Sequence, residues 1–111
     1  WGYTPLESIA FGIPTITTDL AGFGLWAKKH VTGNNISEGV AVVNRDDFNY
    51  FEVADAITSS ILTLAGKDKK EAEEIRKRSF CLAAKAEWSK FIVYYEEAFR
   101  IALEHANKRN N

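Results

Sequence analysis

The residues whose types and spacing could do chemistry stand at the front of the chain, in Trp1-Gly2-Tyr3-Thr4-Pro5-Leu6-Glu7. Thr4 reads as a helix N-cap, Pro5 as the first helical residue, with a fixed φ and no amide proton to leave unbonded, and Glu7 as the third helical position. Gly2, in the loop before them, lets backbone approach a bound group closely. The free N–H groups of a first helical turn, at the positive end of the helix dipole, suit an anion such as a phosphate. Glu7 has two readings. In one, Thr4-x-x-Glu7 is a capping box, each side chain accepting from the other's backbone N–H. In the other, the carboxylate points into a cleft and its oxygens accept from a vicinal diol. Spacing alone does not separate them.

The elements that must position these residues follow in order. Gly12 sits where a helix ends and Pro14 bars its continuation. Pro14-Thr15-Ile16-Thr17-Thr18 is short and β-branched, which predicts a strand, with Asp19 at its carboxyl end. Ligands gather at that end of the strands in open α/β sheets, so the loop Leu20-Ala21-Gly22-Phe23-Gly24 lies where a cleft would be, although its glycines also suit a simple turn. Residues 23 to 31 predict a short helix ending before Gly33-Asn34-Asn35. Gly39-Val40-Ala41-Val42-Val43 is a continuous apolar run, as expected of a strand covered on both faces.

Strand, helix, strand in that order is a parallel βαβ unit with a right-handed crossover. The fold class is therefore α/β, with the composition of the last part of a Rossmann-type domain in residues 1–49 and a helical segment in 50–111. Asp46-Asp47 reads as a solvated loop, with Asp47 or Asn49 capping the next helix. That helix carries Tyr50, Ala54, Ile57, Ile61 and Leu64 as its inward positions and closes at Gly66. Asp68 opens a second helix with a charged first half and an inward stripe of Ile75, Ser79, Leu82 and Ala86. Arg76-Lys77-Arg78 belong to its solvated face. Trp88, Phe91, Ile92, Tyr95, Phe99 and Ala102 make a third stripe, whose aromatic area reads as core.

The totals narrow the class of function. The chain has 111 residues, 46% of them hydrophobic, enough for a packed core, and a net charge of −1, which argues against a nucleic-acid footprint or an acidic membrane surface. No stretch has the length and apolarity of a membrane span, and no secretory leader is visible at the start. Cys81 stands alone, so no intrachain disulfide forms; a reducing, cytoplasmic setting and a buried structural thiol are expected. His30 and His105 have no partners at ligand spacing, so no metal is expected.

The run Trp1-Gly2-Tyr3-Thr4-Pro5-Leu6-Glu7, followed by Gly12-Ile13-Pro14 and Thr17-Thr18-Asp19-Leu20-Ala21-Gly22-Phe23-Gly24, closely resembles the glycogen synthases of the animal and fungal type. These are retaining glycosyltransferases of the GT-B fold, with the motif E-P-W-G-Y-T-P-x-E. The second glutamate of that motif is Glu7, and the first falls two places before Trp1, so the resemblance implies a C-terminal fragment of a donor-binding domain that holds no catalytic residue itself. It further implies transfer of glucose from a nucleotide diphosphate glucose to the non-reducing end of an α-1,4-glucan, with no metal or other cofactor.

By the same resemblance, Trp1 and Gly2 border the donor glucose. The Tyr3 and Thr4 N–H groups, with the Thr4 hydroxyl, hold the distal phosphate, and Glu7 accepts from the ribose hydroxyls. The family's basic clamp lies outside these residues, so the isolated fragment is expected to be inactive. In GT-B enzymes the final helix commonly crosses to the other domain, which would leave part of the last aromatic stripe uncovered. The first strand is expected to offer an unpaired edge through which the fragment self-associates. Leu6-Glu7-Ser8 and Asp19-Leu20-Ala21 depart from the family pattern, which leaves the donor nucleotide open. Two alternatives stay beside this reading: a related GT-B transferase with another donor or acceptor, and a non-catalytic α/β interaction module.

Overall fold

The computed structural model describes residues 1 to 110. Its elements run α1 (Tyr3–Ala10), β1 (Thr15–Thr18), α2 (Gly22–Ala27), a single 3-10 turn (Ile36–Glu38), β2 (Val40–Val43), α3 (Tyr50–Ala65), α4 (Lys69–Ala84) and α5 (Trp88–Asn110). The two strands pair in parallel, Thr15 opposite Val40 through Thr18 opposite Val43, with α2 in the crossover. The chain is thus α/β with a short parallel sheet and long helices, and the expected βαβ unit is formed.

Sheet and helices meet on one core of Ile9, Phe23, Ala27, Val40, Val42 and Leu82, flanked by Leu6, Trp26, Val31 and Ala83. All four residues of β2 are buried, as its unbroken apolar run requires, whereas β1 is half-buried along its length. Alternate peptide groups of a strand face opposite edges. Those of Thr15, Thr17 and Asp19 face β2, and those of Ile16 and Thr18 face the other edge, where no backbone bond forms among the described residues.

Local sequence sets the element ends. After α1, Gly12 takes a left-handed φ of 68° and donates to the Ile9 carbonyl at 2.9 Å, while Ile13 donates to Ser8 at 3.1 Å. This pair of bonds satisfies the carbonyls a helix end leaves free. β2 starts at Val40 and not at Gly39, because Gly39 ends the 3-10 turn with φ 95°. Any side chain there would also strike the backbone of Ser79, whose N lies 2.5 Å from a Cβ built on Gly39. Ser79 itself is fully buried, and its hydroxyl donates to the Gly39 carbonyl at 2.9 Å. In this way α4 is locked onto the start of β2. α4 opens as expected on Asp68, which forms a capping box with Glu71.

Several expectations are corrected. β1 begins one residue after Pro14, and α2 spans Gly22–Ala27, ending well short of residue 31. Asn49 occupies the cap position of α3 but makes no capping bond; its Oδ1 accepts from the Asp46 N–H and its Nδ2 donates to the Asn44 carbonyl, so it ties the loop together. The inward face of α3 is rotated by about one residue, with Val53 and Ser60 buried while Tyr50 and Ile61 are exposed. The reason is that β2 and the 3-10 turn are its main neighbours, so one narrow strip is covered.

Ile75, Ser79 and Leu82 of α4 are buried as the spacing predicts, while Ala86 lies past the helix end. Cys81 is exposed, against the expectation of a buried thiol, because Leu82 takes the inward position and its neighbour turns about 100° away. α5 buries no residue at all. Of the aromatic stripe expected as core, Phe91 and Ile92 are half-buried, while Trp88, Tyr95, Phe99 and Ala102 are exposed, so the stripe is left partly uncovered.

Candidate functional site

The geometry of the front stretch is set by Gly2. It stands immediately before α1 with φ 95° and ψ 84°, a left-handed conformation that favours glycine. The helix therefore opens at Tyr3, one residue earlier than a Thr4 cap would place it, and no side chain caps it. Pro5 becomes the third helical residue, which costs nothing, because the N–H groups of the first turn have no intrahelical acceptor. The capping box between Thr4 and Glu7 is not formed. Glu7, one turn further along, is exposed, and its carboxylate makes no hydrogen bond among the described residues. Among the described residues the Gly2, Tyr3 and Thr4 amides find no acceptor, and Thr4 is exposed beside them.

Trp1 is held in place by the protein behind it. Its carbonyl accepts from the Phe23 N–H at 2.7 Å, and its ring meets Phe23, Trp26 and Phe91 at centroid distances of 6.3, 6.1 and 5.7 Å. Gly22 fits closely beneath it: a Cβ there would lie 3.1 Å from the indole and 3.3 Å from the Trp1 Cα. Gly24 is packed still more tightly: an added Cβ would sit 1.9 Å from the Thr18 carbonyl oxygen. The glycines of the loop thus seat α2 against the end of β1 and place Phe23 where it anchors Trp1. Trp1 and Tyr3 then border a concave surface of about 340 Å³ that continues over α5.

At the carboxyl end of β1, Asp19 is already fully engaged. One oxygen accepts from Lys28 Nζ at 2.7 Å and Asn44 Nδ2 at 2.8 Å, the other from the Arg45 N–H at 2.9 Å. These bonds, that from Lys28 foremost, hold its carboxyl far below the usual range. With its side chain 8% exposed, Asp19 clamps the ends of β1 and β2 to the residue after α2. It is a structural carboxylate that supports the loop above it.

These features meet in one further observation: a glycogen synthase family model matches residues 1–110. The chain belongs to the glycogen synthase family. It is 30% identical over 104 residues to the glycogen [starch] synthase of Caenorhabditis elegans, covering 94% of this chain and 15% of that protein. It is 28% identical over 106 residues to the Neurospora crassa protein of the same name and to the mouse liver form, covering 96% of this chain and 15% of each relative. The chain therefore spans about 15% of the length of the curated glycogen synthases it matches.

In this chain Trp1, Gly2, Tyr3, Thr4 and Glu7 stand together at the start of α1, as the sequence places them. Sequence reasoning missed Lys29, Lys85 and Lys90, which with His30 line a cleft beside Trp1, Trp26 and Phe91. They come from three separate segments and share no spacing signal. His30 packs on Trp26 at 4.9 Å, and its pKa is lowered by burial first and then by Lys85 and Lys29. Arg76 and Arg78 keep exposed positions, but each donates to a backbone carbonyl, of Gly12 at 3.2 Å and of Ser37 at 2.7 Å. No helix among the described residues is long and apolar enough to cross a membrane.

Proposed function

We propose that the protein to which this chain belongs is a cytoplasmic, retaining GT-B glucosyltransferase. It moves glucose from a nucleotide diphosphate glucose to the non-reducing end of an α-1,4-glucan, and these residues form the donor side of its site. The observation that carries the reading is the uncapped start of α1, with Glu7 unbonded one turn behind it. The Tyr3 and Thr4 amides and the Thr4 hydroxyl face the distal phosphate, where fixed dipoles stabilise the charge that develops on the leaving diphosphate. A helix terminus contributes only about 0.3 to 2 kcal/mol to an anion, so further cationic groups complete the phosphate site. Glu7 accepts from the ribose diol, and Trp1 and Gly2 border the transferred glucose.

The glycine-rich loop over Asp19 fixes this arrangement from behind. Because its carboxylate is consumed by three donors, Asp19 takes no part in proton transfer. No metal is assigned to the diphosphate, since the helix start and basic side chains supply its countercharge, and the isolated chain, with no acceptor-side groups assigned to it, is inactive.

The test uses the full-length protein with a panel of nucleotide diphosphate sugars and maltoheptaose, with the anomeric configuration of the product followed by NMR. Growth of α-1,4-linked glucan from a glucose donor is expected. Transfer from a different sugar would point instead to a related transferase, and failure to bind any nucleoside diphosphate to an interaction module.

A further inference from the structure

We propose that Asp19 is a positioning residue for the sugar-nucleotide site, holding the loop that aims the Gly2 amide; the inference rests on the function proposed above. Leu20, Ala21 and Gly22 link the end of β1 to the residue that grips Trp1, and among the described residues none of their N–H groups is bonded. The loop is therefore fixed from its two ends. At one end Phe23 donates to the Trp1 carbonyl at 2.7 Å. At the other, the Asp19 N–H donates to Val43 at 3.1 Å while its carboxylate accepts from Lys28, Asn44 and the Arg45 N–H.

What the loop holds is a peptide group. A trans peptide sets its N–H antiparallel to its carbonyl, and no peptide bond of the described residues is cis. With the Trp1 carbonyl turned to Phe23, the Gly2 N–H points the opposite way and joins the free Tyr3 and Thr4 amides. Its direction is thus set by α2, and a group that binds a reacting ligand must be held within about 0.5 Å of its productive place. α2 has only six residues, about 9 Å, too short to hold its own position. Gly24 packs on the Thr18 carbonyl near its start, and Lys28, the residue after its end, is tied to Asp19. One carboxylate, 8% exposed, therefore holds the end of α2, both strand ends and the root of the loop. An amide could not replace it: with one acceptor oxygen and one NH2 group, it would set donor against donor at Lys28 and Asn44 or at the Arg45 N–H.

The experiment follows glucosyl transfer from uridine or adenosine diphosphate glucose to maltoheptaose by the full-length protein, well below each variant's denaturation midpoint. It compares the wild type with Asp19→Asn, Lys28→Met and Asp68→Ala, the last removing the α4 cap without touching this loop. A misplacement of 1 Å costs on the order of a hundredfold, so a shift of about half that in Asp19→Asn is expected to lower kcat/KM for the sugar nucleotide about tenfold. The KM for maltoheptaose should stay within about twofold, and Asp68→Ala should match the wild type in both. Asp19→Asn kinetics equal to those of Asp68→Ala, or equal losses toward both substrates, mean that the carboxylate serves only stability and overturn the proposal. If the wild type neither transfers glucose nor binds a nucleoside diphosphate, the proposed function fails and the positioning role with it; if the wild type is active and Asp19→Asn matches it, the positioning role alone falls. Should Asp19→Asn not fold, Lys28→Met decides, since its side chain is 43% exposed and its loss leaves no buried hole. A loss confined to the sugar nucleotide then supports the proposal, and wild-type kinetics overturn it.

Discussion

Replacing Gly24 by Ala tests how tightly the loop that seats Trp1 is built. The added Cβ would meet the Thr18 carbonyl oxygen at 1.9 Å and the Asp19 Cα at 3.1 Å, whereas real Cβ atoms essentially never approach a neighbour within 3.0 Å. The strand end and the helix must therefore part by about 1 Å, the difference between those two distances. Overpacking of this kind costs about 1 to 3 kcal/mol, and a strand carbonyl that cannot rotate away belongs at or above the upper end. Ala in place of Gly in a helix returns about 1 kcal/mol, so the net loss is about 2 kcal/mol. Gly66 supplies the control, with φ −82° and nothing closer than 3.5 Å to an added Cβ. Chemical denaturation followed by circular dichroism should show a lower midpoint for Gly24→Ala and an unchanged or slightly raised one for Gly66→Ala. A Gly24→Ala variant as stable as the wild type would refute the packing argument for the loop.

Asp19→Asn should destabilise the fold at pH 7 by about 1.5 to 3 kcal/mol through loss of charge-assisted bonds. Because the folded carboxyl is depressed, its contribution is complete above the unfolded value of about 4 and is lost as pH falls below it; denaturation midpoints from pH 6 to pH 2 should drop more steeply for the wild type than for the variant. Asp68→Ala removes the capping box of α4 and should cost about 1 kcal/mol by the same assay. The Cys81 thiol of the native chain should react with a disulfide reagent at close to the rate of an unfolded control, since no burial protects it.

The sequence made the strands and helix starts legible wherever one residue type has one local meaning. The apolar run Val40–Val43 could only be a covered strand, Asp68 a helix start, and Gly12 before Pro14 a helix end. It misread positions whose outcome depends on what lies opposite. The Trp88-to-Ala102 stripe has a core's composition, yet only its start meets the rest of the chain, where Phe91 packs against Trp1 and Trp26, and periodicity records which residues share a face but not whether that face is occupied. Cys81 failed for a related reason, one residue of helical phase.

At the site, the residues themselves were legible because they are contiguous, whereas their geometry was not. A Thr-x-x-Glu spacing fits a capping box, and only the left-handed Gly2, which starts the helix one residue early, takes it apart. The lysine cleft was invisible, being assembled by the fold from residues 29, 85 and 90.

The central claim is that Glu7, left unbonded behind an uncapped helix start, grips the ribose of a sugar nucleotide. Calorimetric titration of nucleoside diphosphate into the full-length protein, wild type against Glu7→Gln, tests it most directly. Loss of one hydrogen bond to a charged acceptor predicts about a tenfold weaker affinity with unchanged thermal stability. Equal affinities would contradict the account and leave Glu7 as one more solvated carboxylate.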